Sequence, residues 1–435
     1  MLNTNSQLQL GTAKVDITPR KSIPLAGFAD RSKLGGFTGI AQPIYARILF
    51  FRHTDARGHV TASVIISADL IWWGSERIPL LKQQIHAGWG VEHAAILFHA
   101  THSHSGPQTS TRFTTLLGEA DAEYLEQLEA AVLLGVQEAA DQLEVVSAQR
   151  SSGGCSIGIN RRLPMEQTHQ LQPNPHGLVD HELTVIKFLT ESQGATKAVL
   201  VHYACHPVVH RDNLVSGDFT GAAMESIEAA LGGGAMAAFL QGACGDINPG
   251  HAQAFYQGKD PLVRELGQLV ADEVIKVLSL PMMTLQTCPI AAQSVVVELP
   301  LQQMPERSKL EAMVNEPGIM GEWSRKLLSA SRPQSAYPLE MSFIQIAEGF
   351  SMVAMNAEIV TAYGLLVKSL TAGRTLALGY SNGMFGYVPT AEQLREGGYE
   401  PVGSTYYFAM PAPFEPVIER LISEALTDLL GKSFL

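Results

Sequence analysis

The apolar residues of this chain arrive in uninterrupted runs that stop abruptly. Thr12–Ile17, Ile44–Phe51 and Thr61–Leu70 are rich in Val, Ile and Ala and are bounded by Gly, Pro or Asp. A strand with one wet face alternates apolar and polar residues, whereas an unbroken run is the pattern of a strand covered on both faces. A helix is predicted over Ser75–His86 and a further strand over Ala94–Ala100. Strand, helix, strand implies an α/β fold, with a mixed central β-sheet flanked by helices.

The clearest helix is Asp121–Leu143, where Tyr124, Leu125, Leu128, Val132, Leu133, Val136 and Ala140 recur at three- and four-residue spacings. Further strands are expected at Leu183–Leu189, Lys197–Tyr203, Ala235–Leu240, Ser294–Leu299, Ser342–Ala347, Ser351–Met355 and Thr375–Tyr380. Further helices are expected at Gly221–Leu231, Pro261–Leu278, Pro305–Val314, Glu322–Ala330, Glu358–Ala372 and Glu415–Leu430. Arg162–Leu178, rich in Pro, Asn and His, has the composition of a long surface loop. No repeat or low-complexity linker divides the chain, so residues 1–435 are expected to form one catalytic domain, with 280–335 as a small peripheral part.

Bulk composition excludes several functions. Hydrophobic residues at 46% against 17% charged support a large core. A net charge of -12 without a basic run gives no footprint for nucleic acid or an anionic membrane surface. The polar start, Met1–Gln7, lacks the pattern of a secretory signal, and no apolar run is long enough to span a membrane. Cys155, Cys205, Cys244 and Cys288 are widely spaced, as reduced thiols would be. The expectation is a cytoplasmic protein with no transmembrane segment.

Chemistry concentrates where strands end. His99, His102 and His104 fall within six residues after the Ala94–Ala100 run, before a Ser-Gly-Pro turn. On an extended backbone His102 and His104 point to one face. A second cluster, His202-Tyr-Ala-Cys-His-Pro-Val-Val-His210, places His206 at another strand's C-terminal edge, where α/β sheets bind ligands. Two such clusters suggest ligands converging on one metal. Asp218 in Ser216–Gly221 and Asp246 in Gly242–Pro249 suit either of two roles, orienting a ligating histidine or capping a helix or turn. Asp69 and His99 are candidate supports. Glu358 suits a helix N-terminus, and Tyr387 lies in a Gly-rich loop.

Together these segments resemble the N-terminal catalytic domain of the neutral/alkaline non-lysosomal ceramidase family. The resemblance runs from Gly11-Thr-Ala-Lys-Val-Asp-Ile-Thr-Pro19 to about Ser404, through Thr101-His-Ser-His-Ser-Gly-Pro107, Ile159-Asn-Arg161, Ala204-Cys-His206, Ser216–Asp218, Gly245–Pro249, Ala357-Glu358 and Gly386-Tyr-Val388. It implies one zinc ion per chain, held by His102, His206, Glu358 and Tyr387. It also implies that His104 and Arg161, with Tyr387, contact the substrate amide or its oxyanion. The family's Gly-Asp-x-Ser-Pro serine is Asn248 here, so attack is expected from metal-activated water. No counterpart of the family's C-terminal β-sandwich is expected after the last motif.

The function implied is ceramidase-like, zinc-dependent hydrolysis of an N-acyl amide by metal-activated water, on a lipid such as ceramide or on a small soluble amide. An esterase or sugar N-acetyl deacetylase is the nearest rival, and an inert metal-binding homologue is the rival from another class. A homo-oligomer is compatible with either.

Overall fold

The computed structural model describes residues 6–166, 168–330 and 334–433. Residues 1–5 of the polar start, residue 167 of the expected loop and 331–333 of the expected peripheral part lie outside them.

The runs become strands because each can bury both faces. In the strand Tyr45–Thr54, Ile48 and Phe50 enter one core while Leu49 and Phe51 enter another. In Ile96–Ala100, Ile96 and Phe98 face the first core and Leu97 the second. Both strands belong to a nine-stranded mixed sheet. Its order is Met236–Gln241, Thr196–Tyr203, Glu182–Thr190, Glu144–Gly154, Gln7–Asp16, Tyr45–Thr54, Val60–Ala68 and Ile96–Ala100, with Met283–Thr284 paired to Glu144–Gly154. The outermost pairs are parallel and the inner ones antiparallel.

One core lies under the helices Ala122–Asp141, Asp218–Leu231 and Asp260–Ser279. The other lies against a four-stranded sheet of Gln286–Pro300, Ala336–Glu348, Phe350–Met355 and Thr375–Leu378. The mixed sheet with flanking helices matches the expected class. Helices Arg307–Met313 and Ile319–Ser329 bury their own small cluster of Leu310, Trp323 and Leu327.

The large sheet curls until its edges meet. Ser67 Oγ donates to Phe239 O at 2.6 Å, and Gln241 N donates to His99 Nε2 at 2.7 Å, across the two edge regions. This closure brings together the ends of Ile96–Ala100, Thr196–Tyr203 and Met236–Gln241, which run into the His102, His206 and Asp246 segments.

Two expectations fail on topology. Arg162–Leu178 is mostly an antiparallel hairpin of Gly158–Pro164 and His169–Asn174, with Arg162 buried, because that edge pairs with its neighbour. Glu358 opens no helix. It pairs in the two-residue strand Glu358–Ile359, and the helix Thr361–Leu370 begins three residues later.

Close packing of Ala122–Asp141 on the sheet depends on two glycines. A Cβ at Gly11 would land on the backbone carbonyl oxygen of Ala139, whereas one at Gly135 would meet only the tips of Ile48 and Val15. Backbone cannot give way as side chains do. Gly11→Ala is therefore expected to cost about 3 kcal/mol and Gly135→Ala about 1 kcal/mol, read as shifts in urea midpoint at constant m. Equal shifts would contradict this account.

Candidate metal centre

His102 has φ 69°, a left-handed conformation that non-glycine residues rarely adopt and that tends to occur where function demands it. His102 and His104 therefore do not converge by strand alternation as expected. The turn at His102 sets their rings edge to face, centroids 4.7 Å apart, with Nε2 atoms 3.1 Å apart. The segment is held by Thr101 N on Ala68 O at 2.9 Å and Ser103 N on Leu70 O at 3.1 Å.

Each histidine is oriented through Nδ1. His102 Nδ1 lies 2.8 Å from Ile71 O; His206 Nδ1 lies 2.7 Å from Cys244 O and 2.9 Å from Ile247 O. His104 Nδ1 lies 3.2 Å from Gly27 O. A carbonyl only accepts, so the proton sits on Nδ1 and each Nε2 presents a lone pair inward.

Glu358 meets those nitrogens. Its Oε2 is 3.3 Å from both His102 Nε2 and His206 Nε2. Parallel pairing of Glu358 with Tyr387, and Glu358 N on Gly386 O at 2.9 Å, put the tyrosine beside it. Tyr387 OH lies 3.5 Å from His206 Nε2 and accepts from Arg161 at 2.9 Å. All four residues are buried. Two imidazole nitrogens, a carboxylate and a phenol in one buried cluster suit a transition-metal ion. His102, His104 and His206 also form a three-nitrogen cluster, their donor atoms within 4.8 Å of one another. The carboxylate against both Nε2 atoms favours the His102–His206–Glu358 core, and His104 is the most open of the three histidines.

Arg161 enters from the hairpin. Its backbone N donates to Asp246 O at 2.9 Å, and its guanidinium reaches Glu400 Oε1 at 2.8 Å, Asn248 Oδ1 at 3.1 Å and His206 Nε2 at 3.3 Å. Arg162 bonds the other Glu400 oxygen at 2.6 Å, so one buried carboxylate clamps two arginines. Sequence reading missed Glu400, whose only local signal is the Gly397-Gly398 pair before a short π-helix, Tyr399–Gly403. It missed Tyr380 as well, which stacks on the His102 ring at 3.9 Å and 27°.

Of the two roles open to the aspartates, organising the backbone is the one their contacts fit. Asp218 accepts from His210 N and Phe219 N, and Asp246 from Thr361 and Gln393. Both organise backbone and neighbouring side chains, and carbonyls orient His102 and His206 instead. Asp69 is ion-paired with buried Arg47 at 2.9 Å and accepts from Tyr45 N at 3.0 Å, anchoring the segment that carries Ile71 O. His99 links the sheet edges, bonding Ser381 Oγ at 2.9 Å and Gln241 N at 2.7 Å.

Burial favours the neutral imidazole at His99, His104 and His206. Burial, reinforced by Arg161, pushes His206 down to about 4, and burial beside His202 takes His99 to about 3. Burial and the other two histidines hold His104 well below its usual value. Burial alone would raise Glu358, but positive charge on the His102 and His206 side of the carboxyl more than offsets it and holds the group well below the usual range.

A sequence profile described as neutral/alkaline non-lysosomal ceramidase, N-terminal, matches residues 8–261. No curated protein matches the chain by sequence. Two solved structures share the fold: a neutral ceramidase from Pseudomonas aeruginosa and a ceramidase complexed with C2. Each is 17% identical with a TM-score of 0.76, covering 98% of this chain and 74% and 75% of theirs. Fold and matched family define a hydrolase of the ceramidase kind, acting on amides, and members of that kind are metal-dependent. The chain belongs to the neutral/alkaline non-lysosomal ceramidase family. No helix among the described residues is long and apolar enough to cross a membrane.

The histidine shifts fix a sign for acid stability. His206 and His99 are depressed in the folded state, so unfolded chains bind more protons below about pH 6.5 and stability falls with pH. Asp218, raised to about 6 by burial, and Asp69 and Asp246, also raised by burial, act oppositely, but against His53, His99, His104, His202, His206 and His210 they do not reverse the trend. The melting temperature of chelator-treated protein should therefore drop steadily from pH 6.5 to 4. A flat profile would refute this.

Proposed function

We propose that this protein is a zinc-dependent amidohydrolase that cleaves an N-acyl C–N bond. Convergence of Glu358 Oε2 on the Nε2 atoms of His102 and His206 carries the reading. His102, His206, Glu358 and Tyr387 would hold one ion. Zinc, when bound, supplies Lewis acidity that polarises a carbonyl and makes water nucleophilic at neutral pH.

The remaining residues bind, orient and move protons. Arg161 has five N–H groups, of which Nε serves Glu400, one NH1 hydrogen serves Asn248 and one NH2 hydrogen serves Tyr387. One NH2 hydrogen remains for a substrate oxygen. The NH1 hydrogen facing His206 joins it once that lone pair is engaged elsewhere. These donors, fixed by Glu400, stabilise the developing oxyanion without reorganising. His104, neutral and most open, accepts the proton of the attacking water at Nε2 and returns it to the leaving amine. Asn248 orients Arg161 and is no nucleophile.

Arg161 beside the centre and its partners Asn248 and Glu400 are polar and buried, which supports a small polar amide over ceramide. Turnover of short N-acyl amides but not ceramide vesicles is the expected panel result, and the reverse would return the substrate to lipid. His102→Ala is expected to abolish stoichiometric zinc, measured by elemental analysis. His104→Ala should keep zinc and lose about 10²–10⁴ in kcat. Arg161→Ala should keep zinc and lose about 10²–10³. A zinc-free wild-type protein, or an active His102→Ala, would sink the mechanism.

A further inference from the structure

We infer that Tyr380 is the positioning residue that holds His102, His206 and Glu358 in mutual register. This rests on reading those three residues as metal ligands.

Tyr380 reaches each of them by a different contact. Its ring stacks on the face of His102 at 3.9 Å and 27°, fixing the rotation that the Ile71 carbonyl alone leaves free about the Nδ1 bond. Its hydroxyl lies 3.1 Å from Cys244 Sγ, and the Cys244 carbonyl is the acceptor for His206 Nδ1 at 2.7 Å. Its backbone N donates to Ala357 O at 3.1 Å, the residue before Glu358. Its own carbonyl accepts from Ala100 N at 3.1 Å, two residues before His102. One residue thus ties the ends of three segments that approach from separate parts of the fold.

The bland alternative is a large aromatic filling the core, and Tyr380 is fully buried. Two observations go beyond filling. Tyr380 has φ 53°, in the left-handed region that bulky side chains avoid, and Asn382 at φ 57° shares the strained stretch. The strain serves the backbone bonds to Ala100 and Ala357, and its consequence is to set the ring over His102. The hydroxyl also meets the one cysteine whose carbonyl orients His206, whereas a filler would need no hydroxyl there.

The test compares metal affinity with fold stability in the full chain. Chelator-stripped wild type, Tyr380→Leu, Tyr380→Met and Tyr380→Phe are titrated with Co²⁺ and followed by visible absorption, with melting of each metal-free protein measured in parallel. Removing an outer partner of a metal ligand typically costs about 10–100-fold in affinity. That loss is expected for the folded fraction of Tyr380→Leu, with an altered Co²⁺ spectrum. Tyr380→Phe, which keeps the ring over His102 but loses the hydroxyl on Cys244, should fall between wild type and Tyr380→Leu, a loss of about 3–10-fold. A purely structural role would lower the melting temperature and leave the affinity of folded molecules unchanged. Such a result in Tyr380→Leu, or in Tyr380→Met if the leucine variant does not fold, overturns the inference. Wild type that binds no Co²⁺ overturns the metal-centre reading itself, a distinguishable outcome.

Discussion

The bonds from His102 Nδ1 to Ile71 O and from His206 Nδ1 to Cys244 O decide what the centre can be. Each consumes the proton-bearing side of an imidazole on a backbone carbonyl, leaving the opposite lone pair aimed at Glu358. Carbonyls move only with the main chain, so ring orientation is inherited from the fold. The two acceptors lie on segments fastened independently, Ile71 behind the buried Arg47–Asp69 pair and Cys244 next to the strand Met236–Gln241. Losing either fastening would rotate an imidazole without touching the site directly.

Around that core the polar groups form a graded shell. Glu400 neutralises and splays two arginines, and Arg161 then spends its donors on Asn248 and Tyr387. A buried carboxylate shared by two guanidiniums is costly to desolvate, and one partner alone would be worse. Its retention beside the centre makes sense as geometric control, since one oxygen holds each arginine and limits where the remaining N–H groups point.

The sequence carried some of this and hid the rest, for physical reasons. Strands such as Val60–Ala68 and Ile96–Ala100 were legible because burial on both faces writes an unbroken apolar run. His102 and His206 were legible as histidines just beyond such runs. Glu358 was misread because Glu358-Ile-Val-Thr-Ala-Tyr363 has a plausible helix pattern, and only pairing with a segment near Tyr387 makes it a strand. The Arg162–Leu178 hairpin was masked by its polar composition, since its ladder is backbone and its buried arginine answers to Glu400, far along the chain. The expectation that His102 and His104 share a strand face failed for lack of any local sign of a left-handed residue. Tyr380 and Glu400 act wholly through distant partners, and a single sequence gives no trace of that.

Curling of the large sheet has a consequence for how such a molecule comes into being. The residues around the centre come from positions 102, 206, 358 and 387, and the seam between the edge strands joins residue 99 to residue 241. During synthesis the first histidine emerges long before its carboxylate and phenol partners. A nascent chain therefore carries isolated imidazoles before their partners exist. The converging donor set forms only once the segment around Tyr387 has left the ribosome, so the geometry of the centre belongs to the finished fold.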